Sequence, residues 1–303
     1  MRYRPMGPSG AIVSVISLNL APDASRPRPS DWIAFVYAAL ESGVSAFEVC
    51  ASDAVIIEGL CQALTAVDRR LVSVAWRLGA ASTGGGPPRD ISPENLERQV
   101  LAALARTGLG YLDAVILEEP RADEVTPDSL DAFNDIRSSG AARLIGLSGD
   151  GDAVDELLAR GGFDLLVTAF NITSGWRERN RLRAATSRDV AVIGRQPYPR
   201  AFHAGVAAAA AKGAKGARGR EPLADCGTYA FLDTTHGWTA EEICIAYAIT
   251  EPSLACVQIE VSSIERLERL AEVPEREMPP GLAAQIEMAR FAPAQDGESA
   301  RRA

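Results

Sequence analysis

A chain of 303 residues, 47% hydrophobic and 23% charged, is long enough to bury a large core as one α/β barrel or as two smaller domains. Its net charge of −9 argues against nucleic-acid partners, which need a concentrated basic face. Five cysteines without a C-x-x-C spacing, no basic-then-apolar leader and no apolar run approaching about 18 residues argue against a disulfide framework, a zinc site, a signal peptide and a membrane span, and favour the reducing cytoplasm.

In chain order, Met1 to Gly10 followed by Ala-Ile-Val-Ser-Val-Ile-Ser-Leu predicts a turn-rich hairpin running into a buried strand. The Pro-rich connection Pro22 to Pro29 ends at Ser30, read as the N-cap of a helix over Asp31 to Ser42 that Gly43 stops. Val44 to Cys50 is the next strand, residues 54 to 66 an apolar-rich helix, and Leu71 to Trp76 a third strand. Thr83 to Arg89 is a loop by composition, and Ser92-Pro-Glu-Asn launches an amphipathic helix. The unbroken apolar run Ala114 to Leu117 marks a strand at 112 to 117 buried on both faces. A helix from about Pro127 closed by Gly140, a strand Leu144 to Ser148, a helix at 151 to 159, a strand Phe163 to Phe170, a helix Arg177 to Ser187 and a strand Val190 to Ile193 follow. Thr239-Ala-Glu-Glu242 has capping-box spacing ahead of a further helix, and Ala255 to Ile259 is the last strand. This alternation predicts an all-parallel sheet closed into a (β/α)₈ TIM barrel. One domain over residues 1–292 is expected, with a mobile Ala/Gly/Lys/Arg loop at about 204–220 and a disordered tail over 293–303.

Five segments in order carry a resemblance: Met1 to Gly10, Tyr111-Leu-Asp-Ala-Val-Ile-Leu-Glu-Glu119, Ala141-Ala-Arg-Leu-Ile-Gly-Leu-Ser148, Phe163 to Asn171, and Val257-Gln-Ile-Glu-Val-Ser-Ser-Ile-Glu-Arg-Leu-Glu268. Together they resemble the aldo-keto reductases from the first residues to about Val273, which implies a barrel of that type and a nicotinamide cofactor. Reduction in that family uses an Asp, a Tyr, a Lys and a His. The aspartate position falls here on Glu48, the tyrosine on Asp53, the lysine on Trp76 without a gap or on Arg77 with one, and the histidine on Glu118. None is of the family type. A carboxylic acid with a pKa near about 4 is ionised at neutral pH and donates poorly to an alkoxide, and two or three carboxylates facing one pocket repel the developing charge. The tetrad therefore reads as degenerate, with no catalytic residue assigned. Glu48, Asp53 and Glu118 could in principle form a new acid/base pair or bind a hard cation, but drift of former catalytic positions to polar residues accounts for them as well, and no metal site is assigned. His203 and His236 read as exposed loop residues.

The cofactor side of the resemblance is better kept. It implies nicotinamide contacts from Ser148 and the following Gly149, from Asn171, and from Arg195-Gln-Pro-Tyr198, in which the Arg195 guanidinium stacks on the ring and Gln196, Pro197 and Tyr198 continue the wall. Ser262, Ser263 and Arg266 match the helix start that holds pyrophosphate and ribose. A carboxylate at Glu260 repels a 2′-phosphate, so NAD(H) is favoured over NADP(H). Such departures resemble a regulatory branch of the family: a cytoplasmic, NAD(H)-binding pseudo-oxidoreductase working through protein partners in cell division, which by resemblance are the tubulin-like FtsZ and the kinase DivJ. The alternative is an active enzyme, either an atypical NAD(P)H-dependent carbonyl reductase or a carboxylate-based lyase or hydrolase.

Overall fold

A hairpin of two antiparallel strands, β1 (Tyr3–Pro5) and β2 (Ile12–Ser14), opens the chain. Eight parallel strands then close into a barrel: β3 (Ile16–Leu20), β4 (Ala46–Val49), β5 (Ser73–Leu78), β6 (Leu112–Glu118), β7 (Ala142–Ser148), β8 (Leu165–Ala169), β9 (Ala191–Arg195) and β10 (Leu254–Ile259), the last pairing back onto β3. Helices α1 (Pro29–Glu41), α2 (Ala54–Leu64), α3 (Pro93–Thr107), α4 (Pro127–Ser138), α5 (Asp152–Arg160), α6 (Trp176–Thr186), α7 (Ala240–Ile249) and α8 (Ile264–Ala271) follow the barrel strands one by one, and α9 (Leu282–Ala289) is added at the end. The predicted (β/α)₈ barrel is the observed fold. This computed structural model describes residues 1–7, 10–50, 53–79, 90–199, 202 and 227–291. The expected loops at 83–89 and 204–220, His203 and the tail over 293–303 lie outside the described residues. His236 is exposed in a turn.

Strand parity builds two cores. Alternate residues such as Phe47, Val49, Val74, Trp76, Val115 and Leu117 pack outward under the helices, while Ala46, Ala75, Ala114, Ile116, Leu144, Val167, Ile193 and Cys256 fill the barrel interior. Met6 and Val13 of the hairpin join the interior cluster from below. Arg4 pins that hairpin by donating to the carbonyls of Ile249 and Leu254, each at 2.7 Å. With every strand end occupied by the same alternation, the residues at the carboxyl ends are the ones that face the open mouth.

Several boundaries differ from expectation by a residue or two, and two of them for identifiable reasons. Helix α1 starts at Pro29, not after Ser30, because proline fits a first turn that needs no N–H, and Asp31 accepts the N–H of the Arg28 cap at 3.1 Å. The third predicted strand begins two residues late. Arg69–Leu71 forms a short 3₁₀ turn whose Arg70 N–H is taken by Asp68 at 3.0 Å, and β5 consequently extends through Arg77 to Leu78. Among the described residues, no helix is long and apolar enough to cross a membrane.

Candidate functional site

The parity of β5 decides between the two candidates for the lysine position. Trp76 points outward into the helix-facing core, whereas Arg77 points into the barrel mouth. There its guanidinium donates to Glu48 at the end of β4 and to Glu118 Oε1 at the end of β6, the latter at 3.1 Å. Gln258 Nε2, from β10, donates to the second Glu48 oxygen at 2.7 Å, so both oxygens of that carboxylate are engaged. The pair is nearly dry: the Arg77 side chain is 8% exposed and that of Glu48 3%, while Glu118 keeps 25%. Burial alone pulls the Arg77 pKa down, but the Glu48 carboxylate and then the Cys50 and Glu118 charges more than reverse that, and the net shift is upward. Cys50 donates to Asn19 Oδ1, and burial followed by the Glu48 charge pushes its thiol up, which leaves it a poor nucleophile.

Asp53 does not join this cluster. It is the N-cap of α2, where one carboxylate oxygen accepts the N–H groups of Val55 at 2.8 Å and Ile56 at 3.1 Å. The expectation of up to three carboxylates facing one pocket therefore reduces to two, bridged by an arginine. A guanidinium stays protonated throughout the working range of proteins. What occupies the centre of the mouth is a guanidinium bridging two carboxylates.

From Arg77 and Gln258 a cleft of about 710 Å³ runs outward between the β3–α1 loop, the end of β9 and the start of α8. Arg195 lies along it, with a guanidinium nitrogen donating to Glu119 Oε1 at 2.7 Å and to Asp150 Oδ2 at 2.6 Å. Asp150 in turn accepts the Ala169 N–H at 2.6 Å and the Thr168 hydroxyl at 2.9 Å. Burial works against the Asp150 charge, but the Ala169 amide and Arg195 outweigh it and hold the carboxyl below its ordinary range. Glu119 and Gln196, immediately after β6 and β9, both adopt left-handed backbone, with φ of 41° and 52°. Strained positions of this kind gather where side chains must be aimed at a site.

Of the predicted cofactor residues, Arg195, Gln196, Pro197, Tyr198, Ser262 and Arg266 line this cleft. Ser263 caps α8, its hydroxyl accepting the Arg266 N–H at 3.2 Å. The Ser148 hydroxyl, at the end of β7, is buried without a hydrogen-bond partner among the described residues. Gly149 is boxed in, since a Cβ there would stand 2.5 Å from Val154 Cγ2. Asn171 spends its side chain locally, donating to the Gln196 carbonyl at 3.1 Å and accepting from the Thr173 amide at 2.9 Å. The Tyr198 ring stacks on Phe202 with centroids 4.8 Å apart, and burial followed by the Glu241 charge pushes its phenol well up, so it holds its proton. Arg266 is held by Glu241 of α7, its Nε donating at 2.8 Å. Glu260 lies in the cleft wall and accepts from Asn19 Nδ2 at 3.2 Å.

Sequence reading missed Asn19, Arg26, Glu119, Asp150, Glu241 and Gln258. Arg26 is central to the outer wall: it lies over the Trp32 and Phe35 rings and donates to the Val261 and Ser262 carbonyls at 2.9 and 2.8 Å, tying the β3–α1 loop to the start of α8. Parity was the available signal for Asn19 and Gln258, each two residues beyond an inward neighbour in its strand. Arg26 has near neighbours in Asp23, Trp32 and Phe35, but the contacts that tie it to Val261 and Ser262, like the arginines that meet Glu241, are remote in the chain.

These residues fit a nicotinamide dinucleotide. The cleft is elongated, an unspent hydroxyl at Ser148 waits beside the barrel centre, and the amides that open α8 suit a pyrophosphate at the outer end. Bound there, the cofactor would be held by Ser148, Arg195 and the Ser262–Arg266 turn, and it supplies hydride chemistry.

Comparison with known proteins agrees with this geometry. The chain is 24% identical over 175 residues to the NADH-specific methylglyoxal reductase of Escherichia coli K12, a match spanning 56% of this chain and about half, 53%, of that relative. Over the full length of both chains it superposes on the aldo-keto reductase AKR11C1 of Bacillus halodurans with a TM-score of 0.75 for the holo form and 0.71 for the apo form, at 18% identity, a likeness of fold. Residues 19–289 match the Aldo/keto reductase family, and with its barrel closed in the same order the chain belongs to that family.

Proposed function

We propose that this protein is an NAD(H)-binding regulatory pseudo-oxidoreductase, cytoplasmic, that acts through protein partners in the control of cell division and does not reduce carbonyls. The observation that carries the reading is Arg77 clamped between Glu48 and Glu118 at the centre of the mouth. Carbonyl reduction needs a proton delivered to the developing alkoxide at that point, and a positioned donor contributes about 10²- to 10⁴-fold. Arg77 holds its proton, Glu48 is spent on hydrogen bonds from Arg77, Gln258 and Cys50, and Asp53 is a helix cap. The outer cleft, by contrast, keeps the features that suit a dinucleotide. Glu260 in its wall favours NAD(H) over NADP(H) by repelling an added phosphate. The pattern of departures is similar to KidO, an alphaproteobacterial oxidoreductase homologue that links NAD(H) to division through FtsZ and DivJ, and those two partners are proposed on that resemblance alone.

The test pairs binding with turnover. At one hundred times its dissociation constant NADH should raise unfolding stability by about 2.7 kcal/mol, and NADPH should do less at equal concentration. NADH absorbance should fall no faster than background across a panel of aldehydes, ketones and quinones. Absence of any stabilisation by either nucleotide overturns the cofactor half, and equal stabilisation overturns the role of Glu260. The activity of the Escherichia coli relative favours a second reading, an active NADH-dependent reductase. Turnover that is abolished by Glu118→Ala would establish it over the first.

A further inference from the structure

On the outer wall of the barrel, α5 and α6 leave a groove of about 260 Å³ whose long side is a single face of α6. Trp176, Asn180 and Ala184 repeat at helical spacing along it and Arg188 stands just past its end, so the groove runs for about 18 Å at 1.5 Å per residue. Leu158 and Ala159 of α5 supply the apolar opposite side. Trp176 is 74% exposed at the rim. Indole and guanidinium groups are the side chains that most often anchor protein interfaces, and a tryptophan left this open on a helix terminus is unspent apolar surface.

Charge says what fits. The chain as a whole is at −9, yet the lining of the groove carries Arg177, Arg181 and Arg188 against the single carboxylate Asp155. Arg188 donates only to the Ala184 carbonyl, at 3.0 Å, and has no carboxylate partner among the described residues. Arg177 pairs with Asp152, but both are more than half exposed, a kind of pair that exchanges partners at little cost. Arg181 differs: it is 1% exposed, locked to Asp155, and donates to the Asp150 carbonyl at 2.6 Å. Asp150 is the residue that holds Arg195 in the cleft, so the floor of the groove and the cleft share one hydrogen-bonded chain.

We infer that the α5–α6 groove is the docking site for an acidic, apolar-anchored segment of a partner protein, with its carboxylates on Arg177 and Arg188 and its apolar side chain against Trp176. The concave shape favours an extended segment over a flat bilayer. This inference deepens the partner half of the proposed function and rests on it, but its test needs no nucleotide, so failure of the groove and failure of NADH binding are separate results.

A phage-displayed library of random twelve-residue peptides selected against the full chain is the direct test. Enriched peptides should be rich in Asp and Glu with an aromatic or Leu, and the synthetic form of the best should lose at least tenfold affinity with either Trp176→Ala or Arg188→Glu. Both side chains are exposed, so the fold survives the changes, and unaltered far-UV dichroism confirms it. Failure to enrich any peptide, enrichment without acidic bias, or equal binding to the two variants overturns the inference. So does sedimentation of the wild type as a dimer that Trp176→Ala dissociates, which makes the occupant a second copy, or Trp176-dependent binding to phosphatidylglycerol vesicles with no peptide selected, which makes it a membrane.

Discussion

Removing the Arg77 guanidinium strands the Glu48 carboxylate in a nearly dry site with only neutral donors, the Gln258 amide and the Cys50 thiol, to satisfy it. Breaking one side of a buried pair costs roughly 3–5 kcal/mol, so Arg77→Ala should lower stability by that order in urea unfolding, and the double change Arg77→Met with Glu48→Leu should recover most of it. A loss under about 1 kcal/mol for Arg77→Ala would show the pair to be hydrated and the mouth open to water. Asp150 contributes to the acid limb of stability. Its folded pKa is depressed, so its contribution is present above the unfolded value near about 4 and is lost as pH falls through the folded value. Stability of wild type minus Asp150→Asn should be flat from neutral pH down to about 5 and should shrink below about 4; a difference that grows on acidification contradicts the assignment. Glu48, Arg77 and Glu118 were legible in the sequence as residue types, but their partners were not. Glu48 meets Arg77 across 29 residues and Gln258 across 210, and pairings at such distance depend on barrel closure, not on local pattern.

At the level of elements, the cap on α2 separates a structural carboxylate from a functional one. Asp53→Ala should cost about 1 kcal/mol and Asp53→Asn much less, because asparagine caps equally well. Nucleotide affinity should be unchanged in both. A tenfold loss of affinity with stability intact would return Asp53 to the site. Elements were the most legible part of this chain: apolar runs of strand length alternate with helical periodicity, and the Thr239–Glu242 capping box forms as its spacing predicts, with Glu242 accepting the Thr239 N–H at 3.0 Å. Their ends were less so. The two-residue delay of β5 comes from a 3₁₀ turn that apolar pattern does not register, and the strand runs on past Trp76 to Leu78, where alternation leaves Trp76 facing the helices and Arg77 the mouth.

Taken whole, the molecule joins its two candidate surfaces by the chain Arg181–Asp150–Arg195. Nucleotide that draws on Arg195 weakens its hold on Asp150, and the selected peptide should therefore bind with altered affinity at saturating NADH. Linkage requires NADH affinity to change by the same factor when peptide is present. Titrations in which neither ligand alters the other would assign the chain to stability alone.

The hairpin that plugs the barrel has a consequence for traffic. With Met6 and Val13 packed into the interior from below and Arg4 riveting β1 to the carbonyls of Ile249 and Leu254, the described barrel is a blind alley entered from the carboxyl ends of its strands. A guest seated beside Arg77 therefore leaves as it came, outward along the cleft between the β3–α1 loop, the end of β9 and the start of α8.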